Sequence, residues 1–220
     1  MRHIITKRDL WYYQQFLKMG YSRICKTKYY LIWDVDTIPI RPINIFEGDY
    51  PLFDTRIERI TSYYKTLERI FPGIVNSNCS YVTEHMIIKT DFMKNLLDNI
   101  EIKYNIPGKY FWEKILMVID NKDINFLGFS EFETYGFYVD NRYPNIYKHR
   151  KWYSKRDAKS FFGNSDNLNQ DDIAWLSKYY HSLSFEKWTP FSEINLKIIK
   201  NKELQKLYQP KEFFDNLGKC

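Results

Sequence analysis

A chain of 220 residues is sized for one domain, or one domain with a helical extension, and 44% apolar content is enough to build a core. The 33 basic and 27 acidic residues leave a net charge of +6, which suits an anionic substrate, a phosphate-rich membrane surface or nucleic acid without choosing among them. Cys25, Cys79 and Cys220 have no metal-ligand spacing and suggest no disulfide framework; no apolar run approaches the ~18 residues of a membrane span. The start MRHIITKRDLW lacks a signal-peptide apolar stretch, so the expectation is a cytoplasmic protein, at most peripheral at a membrane surface.

Residues 8–24 read as a helix, because Leu10, Tyr13, Phe16, Leu17 and Ile24 recur at helical spacing and Gly20 can mark its end. YYLIW (29–33) is short, apolar and followed by an acidic residue, which predicts a buried central strand. Pro39 and Pro42 then force an extended or turning path. YPLFD (50–54) predicts a second strand, and an amphipathic helix near 56–70 stops at Pro72-Gly73. Residues 80–89 read as a strand, Thr90 and Asp91 can cap a helix to about Ile100, and 110–121 reads as a helix burying Phe111, Trp112, Ile115, Leu116 and Ile119. Residues 126–140 are apolar and aromatic with two embedded glutamates; after a basic stretch at 148–159 and a polar loop at 163–170, helices are predicted near 171–182 and 192–207. Alternating strands and helices give an α/β class, with an α/β core over 1–165 and a helical extension over 166–220. The 19 Tyr, 16 Phe and 6 Trp fit half-buried cleft walls, or the codon bias of an AT-rich genome.

The segment Trp33-Asp34-Val35-Asp36 carries the most chemistry. A buried strand ending in two carboxylates puts negative charge at the carboxyl edge of a sheet, where open α/β sheets bind ligands. Like-charged carboxylates held together are costly unless a cation joins them. Mg²⁺ or Mn²⁺ accepts oxygen from one or two carboxylates and completes its shell with substrate phosphates, so a metal–diphosphate site is one reading of Asp34 and Asp36. A solvated strand end is the other.

A helix bearing Trp11, Gln14, Gln15, Phe16 and Lys18, followed by LIWDVDTIPIRPI (31–43), resembles a largely uncharacterised family of glycosyltransferase-like proteins of the GT-A type. The resemblance continues through Glu84-His85-Met86, the Trp112 helix, SEFETYG (130–136) and SFEKW (184–188), and so covers nearly the whole chain. It implies a Rossmann-like mixed sheet flanked by helices, with a helical C-terminal end. It also implies transfer of a sugar from a nucleotide diphosphate sugar to a hydroxyl of a glycan or lipid-linked acceptor, with Asp34 and Asp36 holding the metal. The strand at Tyr29 begins early for such a fold, so the N-terminal nucleotide-binding unit is expected to be missing or shortened, completed by a partner chain or absent from a non-catalytic remnant.

Further candidates follow. Glu131 and Glu133, among aromatics whose burial raises a carboxyl pKa, are candidate general bases toward an acceptor hydroxyl, or a structural pair with one capping amides and the other solvated. Glu84 and His85 could contact diphosphate or metal, and His149 could be a late third metal ligand; each can equally be structural. Lys148, Arg150, Lys151, Lys155, Arg156 and Lys159, interleaved with Trp152 and Tyr153, could neutralise a departing diphosphate or form an exposed loop, and no nucleic-acid motif accompanies them. Gln14 and Lys18 share a helix face, and with Trp33 are candidate donor- or acceptor-binding residues. His181 reads as packing or surface. A metal-dependent phosphodiesterase would need further acidic or His ligands at strand ends, and a glycosidase would need carboxylates flanking the sugar, which two glutamates on one element cannot do.

Overall fold

The computed structural model describes residues 8–74 and 79–217. In chain order these form α1 (Asp9–Gly20), β1 (Tyr29–Trp33), β2 (Thr37–Pro39), β3 (Phe46–Glu47), β4 (Tyr50–Thr55), α2 (Thr61–Ile70), β5 (His85–Lys89), α3 (Thr90–Glu101), α4 (Phe111–Val118) and α5 (Glu131–Arg142). Then come β6 (Lys148–Lys151), β7 (Ser154–Lys155), α6 (Ala158–Phe162), α7 (Gln170–Leu176), β8 (Ser182–Ser184), α8 (Glu193–Ile199), α9 (Lys202–Leu207) and α10 (Pro210–Leu217). The class is mixed α/β, with small sheets flanked by helices. No helix among the described residues is long and apolar enough to cross a membrane. Two compact units emerge: one from residues up to Ile32 with Ile45–Lys151, the other from Trp33–Asn44 with the chain from Trp152 onward.

In the first unit, β3 and β4 form an antiparallel hairpin, and β4 runs parallel to β6 with Leu52 opposite Lys148 and Thr55 opposite Lys151. The hairpin turns at Gly48, whose φ of +60° is the left-handed backbone that a two-residue loop requires and that glycine adopts freely. β1 pairs with β5. Four successive residues of β4, Pro51 to Asp54, are buried, as a strand covered on both faces should be. α5 is buried from Glu131 to Val139, so the aromatic run that periodicity alone could not assign is a core helix. Gly136 lets α5 approach the Tyr81 ring: a Cβ there would lie 2.3 Å from Tyr81 Cγ.

Several elements differ from their sequence readings. The strand expected over 80–89 begins only at His85: Ser80 makes an isolated antiparallel bridge to Arg56, the Tyr81 amide turns to Glu133, and Glu84 sits at φ +65°. Thr90 does not cap α3: it is the first helical residue, and its hydroxyl donates to the Thr27 carbonyl at 2.7 Å. Trp112 is on the exposed side of α4 rather than the buried one. The apolar stripe of α1 also faces outward. Tyr12, Gln15 and Met19 are its buried residues, while Leu10, Tyr13 and Leu17 are exposed.

In the second unit, β8 lies between β2, antiparallel with Thr37 opposite Ser184, and β7, parallel with Ser154 opposite Ser182. Its core gathers Ile40, Phe162, Trp175, Leu183, Ile199 and Phe213. The helix expected over 171–182 stops at Leu176, because the following residues turn and His181 donates its amide to the Tyr153 carbonyl at 2.8 Å, leading into β8. The helix expected over 192–207 breaks at Asn201, whose side chain accepts from the Glu203 and Leu204 amides and so starts α9. The C-terminal helices share a core with Ile40, just after β2, and Leu183 of β8.

Candidate functional site

The Asp-x-Asp segment is a tight turn in the second unit. The Thr37 amide donates to the Asp34 carbonyl at 3.0 Å, and the Trp33 indole N–H donates to the Thr37 carbonyl at 2.8 Å. The Phe185 amide donates to the Asp36 carbonyl at 2.7 Å, and the Thr37 and Ser184 hydroxyls are 2.7 Å apart. The turn is thus held by backbone and hydroxyl bonds to the β8 end. Val35 at its tip is 97% exposed, and the two aspartates on either side are half-buried.

The donor set is two hard carboxylate groups two residues apart. Among the described residues no group of three or more His, Cys, Asp or Glu side chains could hold a metal. An ion at this turn would take its remaining ligands from phosphate and water, which is how Mg²⁺ is commonly held with its substrate.

Most of the other candidates lie in the first unit. Asp54 ends the buried part of β4, and Arg150 on β6 grips it with two bonds, Nε to Oδ1 at 2.6 Å and Nη2 to Oδ2 at 2.8 Å. His85 Nε2 lies 2.9 Å from the same carboxylate while Nδ1 faces the Thr83 carbonyl at 2.9 Å, so both ring nitrogens are occupied. Burial works to raise the Asp54 pKa, but Arg150 and then His85 outweigh it and hold the carboxyl below the ordinary aspartate range. Glu84 binds Arg56 at 2.8 Å. Asp54 escaped the sequence reading, although YPLFD, a buried strand ending in a carboxylate, carries the same signal as the segment before Asp34.

Both glutamates of SEFETYG are buried, so the expectation that one of them is solvated does not hold. Glu131 pairs with Lys18 at 2.7 Å. Glu133 accepts from the Ser80 hydroxyl, from the Tyr81 amide at 3.0 Å and from the Tyr64 hydroxyl at 3.3 Å. Burial pushes its carboxyl above the usual range against the pull of these donors. At 1% exposure Glu133 presents no surface to an acceptor hydroxyl, and it anchors the segment entering β5 instead. Gln14 is exposed while Lys18 is committed to Glu131, so the shared helix face does not act as one site.

His149 is drawn into a different cluster from the metal role expected of it. Its Nε2 lies 2.9 Å from Asp140, which also accepts from the Tyr81 hydroxyl, and Cys79 is a further hydrogen-bond partner. Asp140 first and Cys79 next raise its pKa to about 9. The basic stretch is ordered rather than a flexible loop: Lys148 pairs with Glu47, Lys155 with Asp157 and Arg156 with Glu186, while Lys151 is exposed. His181 stacks on Trp152 at 4.3 Å, a packing role.

No protein-family model, curated protein or solved structure matches the chain.

Proposed function

We propose that this chain is a metal-dependent sugar-nucleotide transferase, of the GT-A kind, whose donor site is centred on Asp34 and Asp36. The observation that carries the reading is the rigid Asp-Val-Asp turn at the end of β1, with both carboxylates half-buried on a backbone pinned at Asp34, Thr37 and Phe185. A bound Mg²⁺ or Mn²⁺ would supply Lewis-acid stabilisation of the diphosphate leaving group. The protein's own share is to fix two oxygen donors before substrate arrives, so that little ordering remains to be done on binding. Trp33, held by Thr37, keeps the strand end in place beneath them.

A non-catalytic binding subunit derived from such a transferase is the second reading. The burial of Glu131 and Glu133 favours it, because neither is open to activate an acceptor in this conformation. Calorimetric titration of nucleoside diphosphates and nucleotide sugars, with Mn²⁺ and then with EDTA, tests the donor site. Binding that requires the metal and is lost in Asp34→Asn/Asp36→Asn supports both readings, and release of nucleoside diphosphate on adding hydroxyl acceptors separates them. Metal-independent binding, or none, overturns the proposal.

A further inference from the structure

Among the described residues, the first unit leaves an apolar face exposed. Leu10, Tyr13, Leu17, Tyr21 and Ile24 are each between 48 and 84% exposed, along α1 and the single 3₁₀ turn (Tyr21–Arg23) that continues it. Beside them Phe111, Trp112 and Leu116 of α4 form the second wall of a groove of about 840 Å³. At roughly 150–250 Å² per large side chain, these residues with Trp112 expose on the order of 600 Å² of contiguous surface. That is at the upper end of the ~300–600 Å² of the largest patch on an ordinary monomer, and near the ~800 Å² per partner of a standard interface.

The spacing of the stripe says what fits it. Its steps are 3, 4, 4 and 3 residues, the same read in either direction. A two-fold interface is self-complementary, so residue i meets j and j meets i. An antiparallel copy of the helix centred on Leu17 therefore sets Leu10 against the partner's Ile24, Tyr13 against the partner's Tyr21, and Leu17 against the partner's Leu17. Steps of three and four are also those of a helix-to-helix seam. Antiparallel helices also set their macrodipoles favourably.

An anionic lipid surface is the competing occupant, and the charges speak against it. A helix lying on such a surface needs Lys and Arg on its polar flanks. Between Asp9 and Ile24 there are two cations, both engaged within the chain (Lys18 with Glu131 at 2.7 Å, Arg23 with Asp98 at 3.0 Å and Glu101 at 2.8 Å), and of the two that flank the stripe, Arg8 and Lys26, the first lies over the Trp11 ring.

We infer that two copies of this chain associate through α1 and the α4 wall, antiparallel, about a two-fold axis at Leu17. Sedimentation analysis of the 220-residue protein is expected to show a dimer. Leu17→Glu, which sets two carboxylates face to face on the axis, should weaken it about 30-fold or more, as loss of a central contact does. Ile102→Glu, at an exposed apolar residue outside the groove, should leave the dimer intact, with circular dichroism confirming both folds. In a background with Cys25, Cys79 and Cys220 replaced by serine, Leu17→Cys should cross-link to itself under mild oxidation, while Leu10→Cys and Ile24→Cys should cross-link only when mixed. A wild-type monomer at ~100 μM, a dimer indifferent to Leu17→Glu, or Leu10→Cys joining to itself overturns the inference. Monomer that floats with phosphatidylserine vesicles and loses this with Leu17→Glu also overturns it, in favour of the lipid surface.

Discussion

Adding one methyl group at Gly136 tests how α5 is built into the first unit. In a helix, Gly→Ala ordinarily gains about 1 kcal/mol, because alanine restricts the unfolded chain and favours the helix. At position 136 the new carbon would lie 2.3, 2.5 and 2.6 Å from Cγ, Cδ1 and Cδ2 of Tyr81. Moving those atoms out to even 3.0 Å demands a shift of 0.7 Å (3.0 less 2.3). The ring has nowhere to go: it is fully buried, edge-on to Phe53 at 5.3 Å and Phe137 at 5.0 Å, and its hydroxyl is tied to Asp140. Overpacking costs ~1–3 kcal/mol; with no free side the upper end applies, and subtracting the propensity gain leaves a net loss of about 2 kcal/mol. For a chain of this size that lowers Tm by about 4–8 °C. Thermal unfolding followed by circular dichroism and calorimetry measures it. In a Tyr81→Ala background the clash is gone, and the same substitution should become neutral or stabilising. A Gly136→Ala protein as stable as the wild type, or a loss that persists without the Tyr81 ring, would refute the reasoning.

Two further outcomes follow from the ion pairs. Asp54→Asn removes the charge gripped by Arg150 and His85; breaking a buried pair costs ~3–5 kcal/mol, and because the Arg150 side chain is 27% exposed and keeps some water, about 2–3 kcal/mol is expected in urea unfolding at pH 7. Since the native pKa of Asp54 is depressed, its stabilisation is present above the ordinary aspartate range and fades as pH falls through the lower native value, so the difference between variant and wild type should shrink in acid; a cost below ~1 kcal/mol at pH 7 contradicts this. His149 has the opposite sign. Its pKa is raised from 6.5 to about 9, so the contribution is complete below pH 6.5 and lost as pH rises through 9. By NMR titration, Asp140→Asn should bring the His149 ring back toward 6.5, and its stability deficit should close between those pH values; an unmoved titration counts against Asp140 as the main cause.

Local rules were enough for part of this protein. YYLIW is a strand with Asp34 and Asp36 after it, but not the buried central one expected: it pairs only with β5, Ile32 alone is buried and Leu31 is exposed, because a two-stranded sheet leaves an edge open to water. The helices at 90–101 and 111–118 were legible too, although Thr90 is not the cap it was read as and Trp112 lies on the exposed side, and so was the mixed α/β class. The stripe on α1 was legible too, but not its direction: periodicity says that residues share a face, and only packing chose Tyr12, Gln15 and Met19 as the buried ones.

Tertiary structure decided the rest because the partners are far apart in the chain. β2 and β8 are three residues each, too short to announce themselves, and become strands by pairing Thr37 with Ser184. Asp54 finds His85 and Arg150 on two other strands, and Glu133 finds Ser80 and Tyr81 across a separation of about 50 residues. Whether a carboxylate is a base, an anchor or half of an ion pair depends on how much water it loses and which donors surround it. Both are set by distant residues, so the sequence determined which groups were available and the packing determined what each could do.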